Sequence, residues 1–171
     1  KNALSQAQSQ NDDVYEVALD NLFKSKNFKA VNYDGPWQAI KYPWHILDMM
    51  FLLLANQETN ISSEALISKS ATIKGERVVI ESGVKIFENA VICGPCYIGK
   101  DSVVGNGALV RHAHVGRNST IGYNTEIARS WVSNDVTTHI AYIGDSIIDT
   151  GVNFGAYSCT ANLRLDKNTV R

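Results

Sequence analysis

From residue 67 onward, aliphatic side chains return every six positions: Ile67 and Ile73, then Ile80, Ile86, Ile92, Ile98, Val104 and Val110, then Val115, Ile121 and Ile127. Most units carry a small or β-branched residue four positions later, at Val84, Ala90, Cys96, Ser102, Ala108, Ser119 and Thr125. Glycine follows the aliphatic residue directly at Gly99, Gly105, Gly116 and Gly122. An amphipathic helix repeats about every 3.6 residues and a strand about every two, so neither sustains a period of six. The pattern predicts an all-β hexapeptide solenoid, in which each hexad is a short strand plus a turn and three hexads close one triangular coil. The aliphatic residue points into the prism and the small residue fills the corner. Stacked coils pair their backbones in parallel, so no coil is stable alone.

Before residue 58 the texture is helical. Val14, Val17, Ala18 and Leu22 fall at helical spacing in "DDVYEVALDNLFKSK", behind an acidic start and ahead of a lysine-bearing end. A loop punctuated by Gly35-Pro36 and Pro43 follows, and "WHILDMMFLLLANQ" reads as a second helix. The expected organisation is residues 1–57, N-terminal helices and junction, then residues 58–171, the solenoid.

Composition narrows the function. The chain has 171 residues, 44% of them apolar, with 16 Lys plus Arg against 17 Asp plus Glu. That balance excludes the basic surface nonspecific nucleic-acid binding needs. The run "ILDMMFLLLA" is too short to cross a bilayer, and the start has no apolar signal-peptide core. The chain lacks an initiator Met, as a fragment would. Three cysteines, an odd count, suit a reducing cytoplasm. Two form Cys93-Gly94-Pro95-Cys96, the letters of a thioredoxin-type dithiol. Reactivity of that type needs a helix N-terminus, whereas more solenoid follows here. The motif is therefore expected to be one hexad with Cys96 in a prism corner.

The six-residue rhythm fails between Ala128 and Ile143, where Trp131 appears and His139 lies in a polar, turn-rich stretch. A regular solenoid is a scaffold, so chemistry is expected where its period is broken. The run His139 to Asp145, then Asn153 to Ser158 and Ala161 to Asp166, resembles the acetyltransferase portion of the bifunctional glucosamine-1-phosphate acetyltransferase/UDP-N-acetylglucosamine pyrophosphorylase family. It is closer still to the archaeal-type sugar-1-phosphate nucleotidyltransferases. "DGPWQAIKYPWHILDMMFLLL" resembles that family's junction between domains, so the N-terminal segment is the expected remnant of a nucleotidyltransferase domain.

The resemblance implies a left-handed parallel β-helix, a homotrimer with sites between subunits and acetyl-CoA as co-substrate, while charge, hydropathy and cysteine count point to a cytoplasmic location with no nucleic-acid or membrane partner. Mg2+ would serve only the nucleotidyltransferase domain, whose Gly-rich loop does not occur here. His139 matches the general base that takes a proton from the sugar's 2-amino group. Tyr142, Asn153 and Asn162 match positions lining the sugar-phosphate site. Glu126, ahead of Arg129, matches a Glu-x-Lys segment, and Arg111 matches the arginine that holds the phosphate. Ala156 falls where the coenzyme arm approaches. Three departures stand out: Tyr157 replaces a family glycine, Ala128 and Arg129 replace the usual lysine pattern, and His45 replaces an aspartate. In relatives further coils follow the Asn162 segment and hold much of the acetyl-CoA site, so a catalytically silent fragment is one expectation. Two other readings stay open. One is a zinc site built from His112, His114 and His139, although the first and second of these fit ordinary corner residues. The other is a non-catalytic solenoid that trimerises or regulates a nucleotidyltransferase.

Overall fold

The computed structural model describes residues 2–160 and 166. The chain divides into two compact units, Lys1–Pro36 and Trp37–Arg171. In the first, α1 (Asn2–Gln6) is an addition to the expected elements, and α2 (Val14–Ser25) forms where the apolar spacing predicts a helix. Glu16 lies in its first turn and Lys24 in its last, each complementing the helix dipole. Of the four spaced apolar residues only Ala18 is fully buried.

The second unit opens with α3 (His45–Ala55), which buries Met50 and Leu54, four residues apart on one stripe. The solenoid follows, with three parallel sheets as the faces of a prism. Face 1 comprises Asn60–Ile61, Val78–Ile80, Cys96–Ile98, His114–Val115, Trp131–Val132 and Ile147–Ile148. Face 2 comprises Leu66–Ile67, Lys85–Ile86, Val103–Val104, Thr120–Ile121, Thr137–Thr138 and Asn153–Phe154. Face 3 comprises Thr72–Lys74, Val91–Cys93, Leu109–Arg111, Glu126–Ala128 and Tyr142–Gly144. Each face stacks one inward column, such as Ile73, Ile92, Val110, Ile127 and Ile143 on face 3. Burying one such side chain contributes on the order of 1.5–3 kcal/mol.

The corners hold the small residues, and polar ones there are satisfied between coils. Ser102 Oγ donates to the Gly116 carbonyl at 2.7 Å and accepts from the Ser119 N–H at 3.0 Å. Ser119 repeats this one coil on, donating to Ser133 and accepting from Val136. Cys96 occupies such a corner, fully buried, its thiol donating to the Cys93 carbonyl at 2.8 Å. Burial pushes that thiol up to about 11, opposite to a reactive thiolate. All three cysteines are free.

The stretch from Ala128 to Ile143 does not interrupt the solenoid. Trp131–Val132, Thr137–Thr138 and Tyr142–Gly144 pair in register with the coil before them. What changes is coil length, from nineteen residues between Ile61 and Ile80 to sixteen between Val132 and Ile148. The corner from face 3 to face 1 shortens first, from seven residues between Ile73 and Ile80 to five between Val110 and Val115. The six-residue rule fails because a corner can be turned with one residue fewer while the strands keep their register. Thr138 takes the aliphatic place on face 2, its hydroxyl bonded to Thr125 Oγ1 and to the Gly122 N–H.

Candidate active site

Most corners turn through a residue of left-handed backbone, whose N–H commonly donates to a carbonyl of the coil before. Between faces 1 and 2 these residues are Gly83, Asp101, Asn118, Asp135 and Gly151. All are types that adopt positive φ at little cost. Between faces 2 and 3 the column reads Asn89, Gly107, Asn124, then Ile140 at φ 45° and Tyr157 at φ 65°. A β-branched residue in this region is strained by about 1–3 kcal/mol, and such strain concentrates at functional sites. Between faces 3 and 1 the column includes His112, Arg129 and Asp145. With Arg77 at φ 58° on that same corner in an early coil, the unfavourable turns lie at the two corners bounding face 3, and only those between faces 2 and 3 gather in the C-terminal coils.

His139 sits on the corner between faces 2 and 3, immediately before Ile140. It is exposed, and its ring makes no hydrogen bond to the described residues. The coil beneath it must be glycine at Gly122, because a Cβ there would lie 2.2 Å from the Thr138 carbonyl oxygen and 3.2 Å from His139 Cα. One coil further on, Gly155, Ala156 and Tyr157 turn the same corner, and the Tyr157 N–H donates to the Ile140 carbonyl at 2.7 Å. Asn153 is exposed on face 2, paired in register with Thr137 and close in sequence to that corner.

The other sequence-predicted residues lie on face 3 and its far corner. Glu126 and Tyr142 are register partners. Arg111 donates through Nε and a terminal nitrogen to Glu126 Oε1, at 2.8 and 2.7 Å. Arg129 grips both oxygens of Asp145 at 2.6 Å. Its guanidinium is held charged even more firmly than usual, chiefly by the Asp145 hydrogen bonds, with Tyr142 adding to them. The Tyr142 ring lies over Gly144, where a Cβ would come 2.5 Å from its hydroxyl. His139, Asn153 and Ala156 lie around one edge of face 3, Glu126 and Tyr142 open their strands on that same side, and Arg111 and Arg129 stand at or beyond the far ends. At roughly 3.3 Å per residue, the two steps from Tyr142 to Gly144 span about 7 Å of backbone. Asn162 lies outside the described residues. Asp145 emerges as the partner of Arg129, a role its place in the sequence motif did not assign.

Face 1 carries a feature that the sequence reading missed. The rings of Tyr97, His114 and Trp131 stack along three successive coils, with centroids 4.9 and 3.8 Å apart and planes within 6°. His114 is thus a flat-face residue rather than a corner residue, whereas His112 does turn a corner. The signal was present: each ring immediately precedes an inward aliphatic, in Tyr97-Ile98, His114-Val115 and Trp131-Val132. Met50, Leu53, Leu54 and Gln57, from α3 and its end, close a cleft of about 220 Å³ over this ladder. Burial lowers the His114 pKa, opposed by its Nδ1–H bond to the Val132 carbonyl at 3.2 Å and by Glu81. Burial and a hydrogen bond with Glu81 push Tyr97 up to about 12. His112, His114 and His139 stand at three different places, and no group of three metal-ligating side chains gathers among the described residues. Among those residues no helix is long and apolar enough to cross a membrane.

The family model for the bacterial transferase hexapeptide (six repeats) matches residues 77–112. The chain is 37% identical over 155 residues to the bifunctional protein GlmU of Methanococcus aeolicus, covering 90% of this chain and 37% of that protein. It is 34% identical over 158 residues to the bifunctional sugar-1-phosphate nucleotidylyltransferase/acetyltransferase of Sulfurisphaera tokodaii, covering 90% of this chain and 38% of that protein. Among solved structures, perosamine N-acetyltransferase from Caulobacter crescentus, in complex with CoA and GDP-perosamine, aligns at 19% identity with a TM-score of 0.41, over 61% of this chain and 54% of that one. The chain therefore spans less than two-fifths of the length of these curated relatives. Over 90% of its length it is a hexapeptide-repeat homologue of the bifunctional sugar-1-phosphate nucleotidylyltransferase/acetyltransferases, with the left-handed parallel β-helix as its fold.

Proposed function

We propose that this chain is the acetyltransferase portion of such a protein, moving an acetyl group from acetyl-CoA to the 2-amino group of an amino-sugar 1-phosphate. One observation carries the reading: His139 is exposed and without a ring partner among the described residues, on the corner where the backbone turns through Ile140 at φ 45°. As general base, its imidazole removes a proton as the amine attacks the thioester carbonyl carbon. The tetrahedral oxyanion then collapses, expelling the CoA thiolate, which the imidazolium protonates. Asn153 reads sugar hydroxyls beside it, and Ala156 leaves room for the pantetheine arm.

The phosphate requires cations, and Arg111 and Arg129 rise from the far end of face 3 and its corner rather than from the His139 edge. The separation supports a homotrimer in which the His139 corner of one copy meets the Arg111 and Arg129 edge of the next. Each guanidinium keeps N–H donors beyond its carboxylate partner for a phosphate. His139→Ala in the full-length parent is expected to cut acetyl transfer by two orders of magnitude or more, and turnover like wild type refutes the base assignment.

A second reading has its own observation: both arginines are already neutralised, by Glu126 and Asp145. On this reading the solenoid only assembles or regulates a nucleotidyltransferase. Calorimetric titration with acetyl-CoA and glucosamine 1-phosphate separates the two, since the assembly module binds neither.

A further inference from the structure

Arg111 and Arg129, at the far end of face 3 and its corner, are held by their carboxylates in different ways. Arg111 directs its Nε–H and a terminal N–H at one and the same oxygen of Glu126. Arg129 lays one edge of its guanidinium along the whole Asp145 carboxylate, Nε donating to one oxygen and a terminal nitrogen to the other, both at 2.6 Å. Two parallel bonds fix the plane and direction of the fork, which a single shared oxygen does not. The backbones beneath are tied as well. The Asp145 N–H donates to the Ala128 carbonyl at 3.0 Å, and the Arg129 N–H to the Arg111 carbonyl at 3.1 Å. Tyr142 adds a further hold: its ring lies over Gly144, where a Cβ would come 2.5 Å from the hydroxyl, and it helps to keep Arg129 charged.

We infer that Asp145 is a positioning residue, orienting Arg129 so that the rest of its guanidinium meets the phosphate of the acceptor. This rests on the reading of the chain as an amino-sugar 1-phosphate acetyltransferase. Asp145 takes two of the five N–H donors of a guanidinium, and the others suit a phosphate, whose oxygens accept bidentately. An arginine held in place before the ligand arrives loses little conformational freedom on binding, whereas a loose one must be ordered at that moment. The same carboxylate also offsets the charge that draws the phosphate in. The two effects have opposite signs. If Asp145 merely neutralised Arg129, removing it would tighten phosphate binding; if it positions Arg129, removing it weakens binding. The two-oxygen grip, which Glu126 does not give Arg111, favours positioning.

Steady-state acetyl transfer to glucosamine 1-phosphate by the full-length parent tests the assignment, in a double-mutant cycle on Asp145→Asn and Arg129→Lys. Asparagine keeps the size of the side chain but offers one acceptor oxygen, and lysine keeps the charge but has no fork. Asp145→Asn alone is expected to raise KM for the sugar phosphate about five- to tenfold, with kcat within about twofold of wild type. In the Arg129→Lys background the same change should alter KM by less than about twofold, since no fork remains to be oriented. Thermal unfolding of the present chain carrying Asp145→Asn should stay within about 4 °C of wild type, because a partly exposed ion pair contributes little. A lower KM in Asp145→Asn overturns the positioning role while the acetyltransferase reading stands. An equal rise in both backgrounds, or a larger fall in unfolding temperature, places the effect in the fold and overturns it too. A parent that acetylates no amino-sugar 1-phosphate refutes the acetyltransferase reading, and the role of Asp145 falls with it.

Discussion

The corner between faces 1 and 2 and the corner between faces 2 and 3 make the same turn with the same hydrogen bond. Asp101, Asn118 and Asp135 donate back to Ser82, Lys100 and Arg117, just as Gly107, Asn124 and Ile140 donate to Glu88, Asn106 and Tyr123. Yet the first corner uses only Gly, Asn and Asp, while the second ends in Ile and Tyr. Identical geometry with unequal residue cost separates scaffold from site. Where only packing matters, each turn takes the side chain its backbone prefers. Where a side chain is used for something else, the preference is overridden.

The largest expected effect tests whether the two corners are equally rigid. Gly122→Ala pushes a methyl against a backbone carbonyl that cannot rotate away, and should cost about 2–3 kcal/mol. At the corner between faces 1 and 2, Gly116→Ala meets the Ser133 carbonyl carbon and oxygen at 2.6 Å and should cost as much. Denaturant unfolding of both variants reads the difference. A loss confined to Gly116→Ala would mean that the His139 coil does not stack tightly on its neighbour.

A smaller pair of opposite sign tests the residue cost directly. Asp135→Ala, at φ 58°, places an ordinary residue in a favourable turn and should destabilise by about 1 kcal/mol. Ile140→Gly relieves strain and should stabilise by up to about 1 kcal/mol, less whatever burial the half-buried isoleucine loses. Acetyl transfer by the full-length parent should nevertheless fall in Ile140→Gly, because a freer corner no longer holds His139 in one place. Destabilisation of the Ile140 variant by 2 kcal/mol or more would show that packing, not strain, governs that turn.

The solenoid was legible because its inward column is chemically uniform: a hydrophobic residue every six positions has no other compact solution. The corners were half legible. Ser102, Ser119 and Thr125 could be placed by size alone, but shortened corners hid the phase after Val110, so a continuous coil resembled a break. His139 was reached through the surrounding motif, not through its own chemistry. The Tyr97, His114 and Trp131 ladder escaped because outward positions on a solenoid are normally solvated, and nothing local shows that α3 covers three of them. Asp145 escaped as a partner because its bond to Arg129 joins residues a whole coil apart.

The smallest effect contrasts two histidines, one on each side of the comparison. His114 is stacked between rings beneath α3, with Tyr97, Glu81 and the Val132 carbonyl as its polar neighbours. No titratable group of α3 is among the residues lining that cleft. Burial lowers its pKa in the folded chain, while the unfolded chain titrates near the ordinary value of about 6.5. Between those two values the unfolded state binds more protons, so stability rises with pH. The contribution is complete above about pH 6.5 and is lost as pH falls toward the folded pKa. Replacing His114 by Phe keeps a ring in the ladder and removes the proton site, so it should flatten the stability slope across that window. Replacing the exposed His139 by Ala in the full-length parent should instead cut acetyl transfer by two orders of magnitude or more. A slope that persists in His114→Phe assigns the acid sensitivity elsewhere.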